Sequence, residues 1–238
     1  INAINEVGIN IITVEDPVEY LAKDYVNQSS LMPQAGYTFA RALRAIMRQD
    51  PDVILIGEIR DRETAEIAVQ AALTGHRVFT TLHTEDAAGA VVRLIDIGIE
   101  KFLVASTLVS VLNQRLLRTV CSNCSEEFIP TRGEMTDLGI DRKIAEEILA
   151  DPKRFNLKKG RGCHNCRRTG YQGRQGAYEM LVVTPAIRNL ILQQQTSEVI
   201  TAKAREEAKV NMIFEEGLRL ALTGVTTIEE LKRLPRKD

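Results

Sequence analysis

The sequence predicts an α/β protein: a doubly wound parallel sheet, then a small cysteine-bearing module, then a helical subdomain. Three observations lead there. Short apolar runs alternate with amphipathic stretches up to about Val120, all four cysteines fall in two C-x-x-C pairs, and the chain beyond Pro185 has helical patterning. The expected division is residues 1–120 for the sheet core, 121–183 for the cysteine module and 184–238 for the helical subdomain. With 44% hydrophobic and 26% charged residues, a chain of 238 residues can bury a substantial core. A net charge of −1 and a pI of about 6.4 give no global pull toward nucleic acid or anionic lipid. The chain opens on Ile1, and Ile4, Val7 and Ile9 read as part of a packed element, which favours a piece of a longer protein. There is no secretory signal, and the apolar segment "KFLVASTLVSVLNQRLL" is interrupted by Ser106, Ser110, Asn113, Gln114 and Arg115, too often for a membrane span.

Each element has a reason. Residues 9–14, "INIITV", are a β-branched run that Pro17 stops, a strand with Glu15, Asp16 and Glu19 at its tip. A looser stretch containing Gly36 follows. In "TFARALRAIMRQ", Phe39, Ala42, Leu43, Ile46 and Met47 recur at helical spacing, with Arg41, Arg44 and Arg48 on another face. Residues 53–57 have apolar or absent side chains, as in a fully buried parallel strand. They deliver Glu58, Arg60 and Asp61 to the carboxyl end, where open α/β sheets place ligands. "DRETAEIAVQAALTG" is a helix that Asp61 caps and Gly75 closes. "RVFTTLHT" reads as the third strand, ending in His83. "DAAGAVVRLIDIG" and "KFLVASTLVSVLNQRLLRTV" read as two further helices. After Pro185, "PAIRNLILQQQ", "SEVITAKAREEAKV" and "TTIEELKRL" read as helices, the last with Thr227 and Glu230 at capping-box spacing.

The strand ending in Glu58 resembles the magnesium strand of a P-loop nucleotidase. Hydrolysis of a nucleoside triphosphate needs a metal ion to neutralise charge and an oriented water, and Glu58 is the best-placed group to serve either. By itself "GEIRD" is as readily a solvated Glu–Arg pair after a strand. Glu15, Asp16 and Glu19 at one strand tip, with His76 and His83 flanking a third strand, weigh against that reading. With about 20 Å of strand between them, the two histidines contact different things. His83 lies with Glu58 at the carboxyl end, and His76 at the other.

Three motifs in order carry a family resemblance. "ITVEDPVEY", "DVILIGEIRD" and "TGHRVFTTLHT" resemble the Asp box, Walker B box and His box of the secretion ATPases that power type II secretion and type IV pilus assembly. The resemblance covers essentially the whole chain. It implies a partial RecA-like core, with Glu58 as the Walker B glutamate, Glu19 as the Asp-box acid that supports catalysis, and His76 and His83 as the His-box pair. Glu15, Asp16 and Arg60 complete the expected nucleotide and magnesium site. No Gly-Lys-Ser or Gly-Lys-Thr occurs in the sequence, although the family's phosphate loop lies upstream of the Asp box. The expectation is therefore a C-terminal portion that lacks the loop and an N-terminal domain supplying interface arginines, and that does not hydrolyse ATP alone.

The cysteines form two knuckles, "CSNC" (Cys121, Cys124) and "CHNC" (Cys163, Cys166). Four thiolates so paired can close a tetrahedron around structural zinc. The long gap of residues 125–162 leaves room for a helix such as "RKIAEEILA". Two disulfides or a redox C-x-x-C are the alternatives. The missing secretory signal argues against the first, and the duplication against the second. His164 is a fifth candidate ligand, but four cysteines already fill the shell. In the family, such a module is typical of secretion and pilus-extension ATPases and is not expected in retraction ATPases. Around the second knuckle, residues 153–174 carry eight Lys or Arg and no acid, either a solvated basic face or a docking surface.

The resemblance implies a homo-hexameric motor that uses ATP and magnesium. It would be cytoplasmic, held at the inner face of the cytoplasmic membrane by an assembly platform and by secretion or pilus proteins. The competing reading is a RecA-like nucleic-acid translocase with a zinc-ribbon module. Aromatics make up only 5% of the chain, too few for a run of stacking residues, so no nucleic-acid partner is expected.

Overall fold

A computed structural model describes residues 1–208 and 212–235. They divide into two compact units. The first holds residues 1–84, 88–109 and 183–203, and the second residues 85–87, 110–182 and 204 onward. The division drawn from the sequence is cut differently here: residues 85–87 and 110–120 go with the cysteine-bearing unit, residues 183–203 go with the sheet, and the chain from residue 204 joins the cysteine-bearing unit instead of forming a third one.

The first unit is built on a four-stranded parallel sheet of order β2-β1-β3-β4. β1 (Ile11–Glu15) and β3 (Val53–Ile56) are central, and Ile11, Val14, Val53, Ile54 and Ile56 are completely buried. Such two-sided burial demands the unbroken apolar runs seen in the sequence. β2 (Val26–Ser30) is a polar edge strand, VNQSS, that has no hydrophobic signature and takes its place by pairing with β1. β4 (Arg77–Thr80) is the opposite edge and stops three residues short of His83. Residues 1–10 form no strand or helix, and Val7 is 83% exposed, so the expected packed start is not present.

The helices of this unit follow their caps. Thr38 accepts a bond from the Arg41 amide to open α1 (Phe39–Ile46), whose Phe39, Ala42, Leu43 and Ile46 are buried while Arg41 and Arg44 are exposed. Asp61 accepts from both the amide and the hydroxyl of Thr64 to open α2 (Arg62–Leu73), and Gly75, at φ +99°, carries the chain away from its end. α3 (Ala87–Asp96) and α4 (Lys101–Thr107) follow, and α7 (Pro185–Leu192) packs on α4.

The predicted helix "KFLVASTLVSVLNQRLLRTV" is half wrong. After α4 the chain becomes β5 (Ser110–Val120), an eleven-residue strand antiparallel to β8 (Tyr171–Val182). One face of this ribbon supplies Leu117, Ala177 and Leu181 to the interior, while Leu112, Leu116, Met180 and Val182 on the other are exposed. A short pair, β6 (Ser125–Glu127) with β7 (Lys158–Gly160), frames the knuckles. Between them lie α5 (Arg132–Asp137) and α6 (Arg142–Ala150), the latter matching the helix expected in the gap. Met135, Ile148 and Leu157 pack with Leu117, Leu220 and Leu231 into one core.

Helix α8 (Ser197–Ala208) confirms the "SEVITAKAREEAKV" reading as far as described; its predicted end, residues 209–210, lies outside the described residues, as do residues 236–238 of the C-terminal subdomain. A helix not anticipated, α9 (Ile213–Leu222), follows. "TTIEELKRL" forms only a short 3-10 turn at Glu229–Arg233. Thr227 does accept the Glu230 amide, but the buried Glu230 carboxylate pairs with Arg118 and Arg233. No helix among the described residues is long and apolar enough to cross a membrane.

Candidate functional site at the carboxyl end of the sheet

Beyond Ile56 the β3 backbone stays tied to both neighbours. The Gly57 amide donates to the Val14 carbonyl at 2.7 Å, the Ile59 amide to the Thr81 carbonyl at 3.1 Å, and the Thr81 hydroxyl to the Gly57 carbonyl at 2.6 Å. Side chains of an extended segment alternate, so buried Ile59 turns inward and Glu58 and Arg60 share the other side. Gly57 is needed for close approach: a Cβ there would sit 3.2 Å from the Glu15 Cα, 3.4 Å from the Val14 carbonyl oxygen and 3.5 Å from the Phe39 ring.

Glu58 is the focus of this end. Its side chain is only 13% exposed, one carboxylate oxygen is paired with Arg60, and the other lies 3.2 Å from His83 Nε2. The Arg60 hydrogen bond, opposed by burial and helped by His83, holds the Glu58 carboxyl below its usual range. Arg60 is raised in turn, by the hydrogen bond and charge of Glu58 and further by the charge of Asp16. The site therefore offers an ionised, partly desolvated carboxylate flanked by two exposed groups able to donate to an anion.

Other expected residues sit differently. Glu15 Oε1 accepts from the Thr13 hydroxyl at 2.7 Å and the Gln28 amide at 3.0 Å, which ties it to the β1–β2 side. Gln28 was not singled out from the sequence, and only recognising β2 would have pointed to it. Glu19 lies in the exposed loop between β1 and β2, and no hydrogen bond or ion pair joins it to Glu58. His76 is at the amino end of β4. Its Nδ1 is 2.9 Å from the Ala71 carbonyl oxygen and 3.0 Å from the Thr74 hydroxyl, closing the end of α2 beside a hollow lined by Pro51, Asp52 and Arg77. The strand between the histidines is four residues, about 13 Å at normal rise rather than about 20 Å, yet still puts them at opposite ends.

In the second unit the four cysteine sulfurs all lie within 4.8 Å of one another. Cys121 to Cys163 is 3.9 Å, Cys124 to Cys166 is 3.8 Å and Cys163 to Cys166 is 3.7 Å, so none is in a disulfide. The Cys163 and Gly170 amides point at Cys166 Sγ from 3.1 and 3.2 Å. These donors, Cys163 first, pull the Cys166 thiol down to about 6, while burial pushes Cys124 up to about 11. Gly160 and Gly170 allow two backbone segments to meet beside the second knuckle: a Cβ on Gly160 would clash with the Gly170 carbonyl oxygen.

Fold and site together define an α/β protein with an acid-rich carboxyl edge of a parallel sheet and an appended tetracysteine unit. The chain belongs to the type II/IV secretion system protein family, whose model matches residues 1–233. It is 45% identical over all its residues to the type II secretion system protein E of Pseudomonas aeruginosa, covering 45% of that protein. It is 47% identical over 222 residues to the type IV pilus assembly ATPase PilB of Thermus thermophilus, covering 93% of this chain and 24% of the relative. The chain thus spans less than half the length of these curated relatives. Among solved structures, the pilus retraction motor PilT with bound ADP superposes with a TM-score of 0.65 at 29% identity, over 95% of this chain and 52% of that one. The Legionella pneumophila ATPase DotB, at 21% identity and a TM-score of 0.60 over 93% of this chain and 50% of that one, shares the fold.

Proposed function

We propose that this chain is the C-terminal part of a hexameric RecA-like motor ATPase that drives type II secretion or type IV pilus assembly from the cytoplasmic face of the inner membrane, docked there on its platform proteins. The observation that carries the reading is Glu58, a carboxylate kept ionised at the carboxyl end of a parallel sheet between Arg60 and His83. Magnesium, bound with ATP, supplies neutralisation of phosphate charge. Glu58 orients the attacking water and accepts its proton, His83 and Arg60 donate to the terminal phosphate oxygens, and Asp16 and Glu15 shape the acidic side of the site. Glu19 supports catalysis from the β1–β2 loop, and His76 acts from the far end of β4 by fixing the end of α2.

The phosphates themselves need a loop of backbone amides and a lysine, which no residue run here provides. β4 pairs only with β3, so its second edge is open among the described residues to a strand that brings such a loop. The similarity to both secretion and pilus proteins supports the motor role without choosing between the two systems.

The cysteine unit fits zinc. Four sulfurs bound at about 2.3 Å form a tetrahedron with edges of about 3.8 Å; three of the six sulfur separations here are 3.7, 3.8 and 3.9 Å, and all lie within 4.8 Å. Cys121, Cys124, Cys163 and Cys166 would hold the ion, and the amides on Cys166 favour its thiolate. The test of the motor reading is turnover: these residues alone release no phosphate from ATP, whereas the same residues joined to a phosphate loop do. Hydrolysis by the isolated 238-residue chain, with contaminating enzymes removed, would overturn the proposed division of the site.

A further inference from the structure

The second knuckle carries a feature that neither nucleotide chemistry nor zinc ligation uses. Arg161, His164, Asn165, Arg167, Arg168 and Gln172, with Gly162 and Cys163, line an open concavity of about 960 Å³. Arg167 and Arg168 are consecutive non-glycine residues in left-handed conformation, φ 51° and 63°. The Arg168 amide donates to the Cys163 carbonyl at 2.8 Å and the Arg167 amide to the His164 carbonyl at 3.0 Å, so the turn is enforced by the knuckle. Left-handed backbone disfavours side chains as bulky as arginine, yet the knuckle turn holds it at two in succession, and both residues line the concavity. Both side chains are exposed, and neither has an ion pair or hydrogen bond among the described residues; Arg161 has one acid, Glu126, at 3.3 Å. Arg167 and Arg168, without an acid partner at this hollow, give it a positive charge that favours an anionic ligand.

The surroundings select its class. A single-stranded nucleic acid needs exposed aromatic faces to stack its bases. The aromatic rings nearby are already covered by cations: Arg118 lies 3.9 Å from the Tyr171 ring centre, Lys159 5.2 Å from Phe128 and Arg154 5.8 Å from Phe155. A membrane surface is engaged by large apolar side chains inserting alongside the charge, and apart from Gly162 and Cys163 the residues lining the concavity are all polar or charged. Asn165 adds an amide that both donates and accepts, and Gln172, whose Oε1 lies 3.7 Å from Cys121 Sγ, adds amide donors; a peptide backbone needs both kinds of partner, whereas a phosphate has acceptors alone. Forked guanidinium groups match carboxylates bidentately. We infer that this concavity docks an acidic peptide segment of a protein partner, with Arg161, Arg167 and Arg168 on its carboxylates and Asn165 and Gln172 on its backbone.

The probe is a fluorescein-labelled decapeptide of alternating glutamate and glycine, titrated by fluorescence polarisation against the 238-residue chain at low salt. The peptide is expected to bind, and the glutamine-for-glutamate version is not. Arg167→Gln with Arg168→Gln weakens binding by about tenfold or more, and the Arg→Lys pair falls between, because charge persists while the fork is lost. Arg161→Gln, outside the strained turn, is the second variant and weakens binding in the same direction. Unchanged thiol protection and circular dichroism in each variant show that the knuckle is folded. Peptide affinity unchanged in both variants, failure of the peptide to bind at all, or tighter binding of an oligonucleotide or of anionic phospholipid vesicles than of the peptide would each overturn the assignment. None of these outcomes depends on ATP hydrolysis.

Discussion

Replacing Cys163 by serine tests the tetracysteine site in the chain as it stands. Three sulfur separations, 3.7, 3.8 and 3.9 Å, match the edges of a regular tetrahedron whose centre lies about 2.3–2.4 Å from its corners, the normal zinc–thiolate length, and all four sulfurs lie within 4.8 Å of one another. Metal analysis should find one zinc per chain, and X-ray absorption four sulfurs at about 2.3 Å. Cys163 is the least buried of the four, so the substitution removes one ligand with the least damage to packing. Zinc binding contributes on the order of 10 kcal/mol to folding in small zinc peptides. The dependence here should be smaller, because Leu117, Met135 and Ile148 form a core of their own that does not include the cysteines. Hydrogen exchange should accelerate across residues 121–183 in Cys163→Ser and stay unchanged in β1 and β3, which belong to the other unit. Protein purified under reducing conditions with far less than one equivalent of zinc, or wild-type thiols that titrate freely without a chelator, would refute the reasoning.

Two further outcomes follow from the sheet end. Gly57→Ala puts a methyl 3.2 Å from the Glu15 Cα, where backbone cannot yield as a side chain would; a loss of about 1–3 kcal/mol in urea unfolding is expected, and a change under about 0.5 kcal/mol would mean the approach is looser than described. Because the folded Glu58 carboxyl lies below its ordinary value, it contributes stability above the unfolded pKa of about 4.3, and that contribution is lost as pH falls through the folded value. Arg60→Ala should therefore raise the Glu58 pKa followed by carboxyl-carbon NMR and reduce the acid sensitivity of unfolding, and an unmoved titration would show that the ion pair does not form in solution.

How much of this was legible in the sequence varied with burial. β1, β3 and the cap Asp61 were readable because two-sided burial forces an unbroken apolar run and capping needs a short polar side chain. β5 was misread since both faces of its ribbon carry apolar residues, Leu112 and Leu116 outward and Leu117 inward, so the alternation of a strand is blurred and a helical spacing fits as well. β2 has no apolar pattern at all, and its pairing is a tertiary fact. α9 could have been found: Glu215 and Glu216 in its first turn, Arg219 in its last and Gly224 just beyond at φ +76° are ordinary boundary signals. In the candidate site, the motif order pointed to Glu58 and His83. The same order could not tell that His76 is bonded to the end of α2, because the length of β4 was not readable from a run whose edge strand is half exposed.

The central claim is that Glu58 handles the attacking water. It is tested most directly by Glu58→Gln in a protein that joins these residues to a phosphate loop, with ATP affinity and phosphate release measured on the same preparation. Glutamine keeps the shape and can still bond Arg60, but it is neutral and cannot take a proton. The account predicts ATP affinity within a few-fold of wild type and hydrolysis lower by about 10² or more. Phosphate release at the wild-type rate from the Glu58→Gln protein would contradict it.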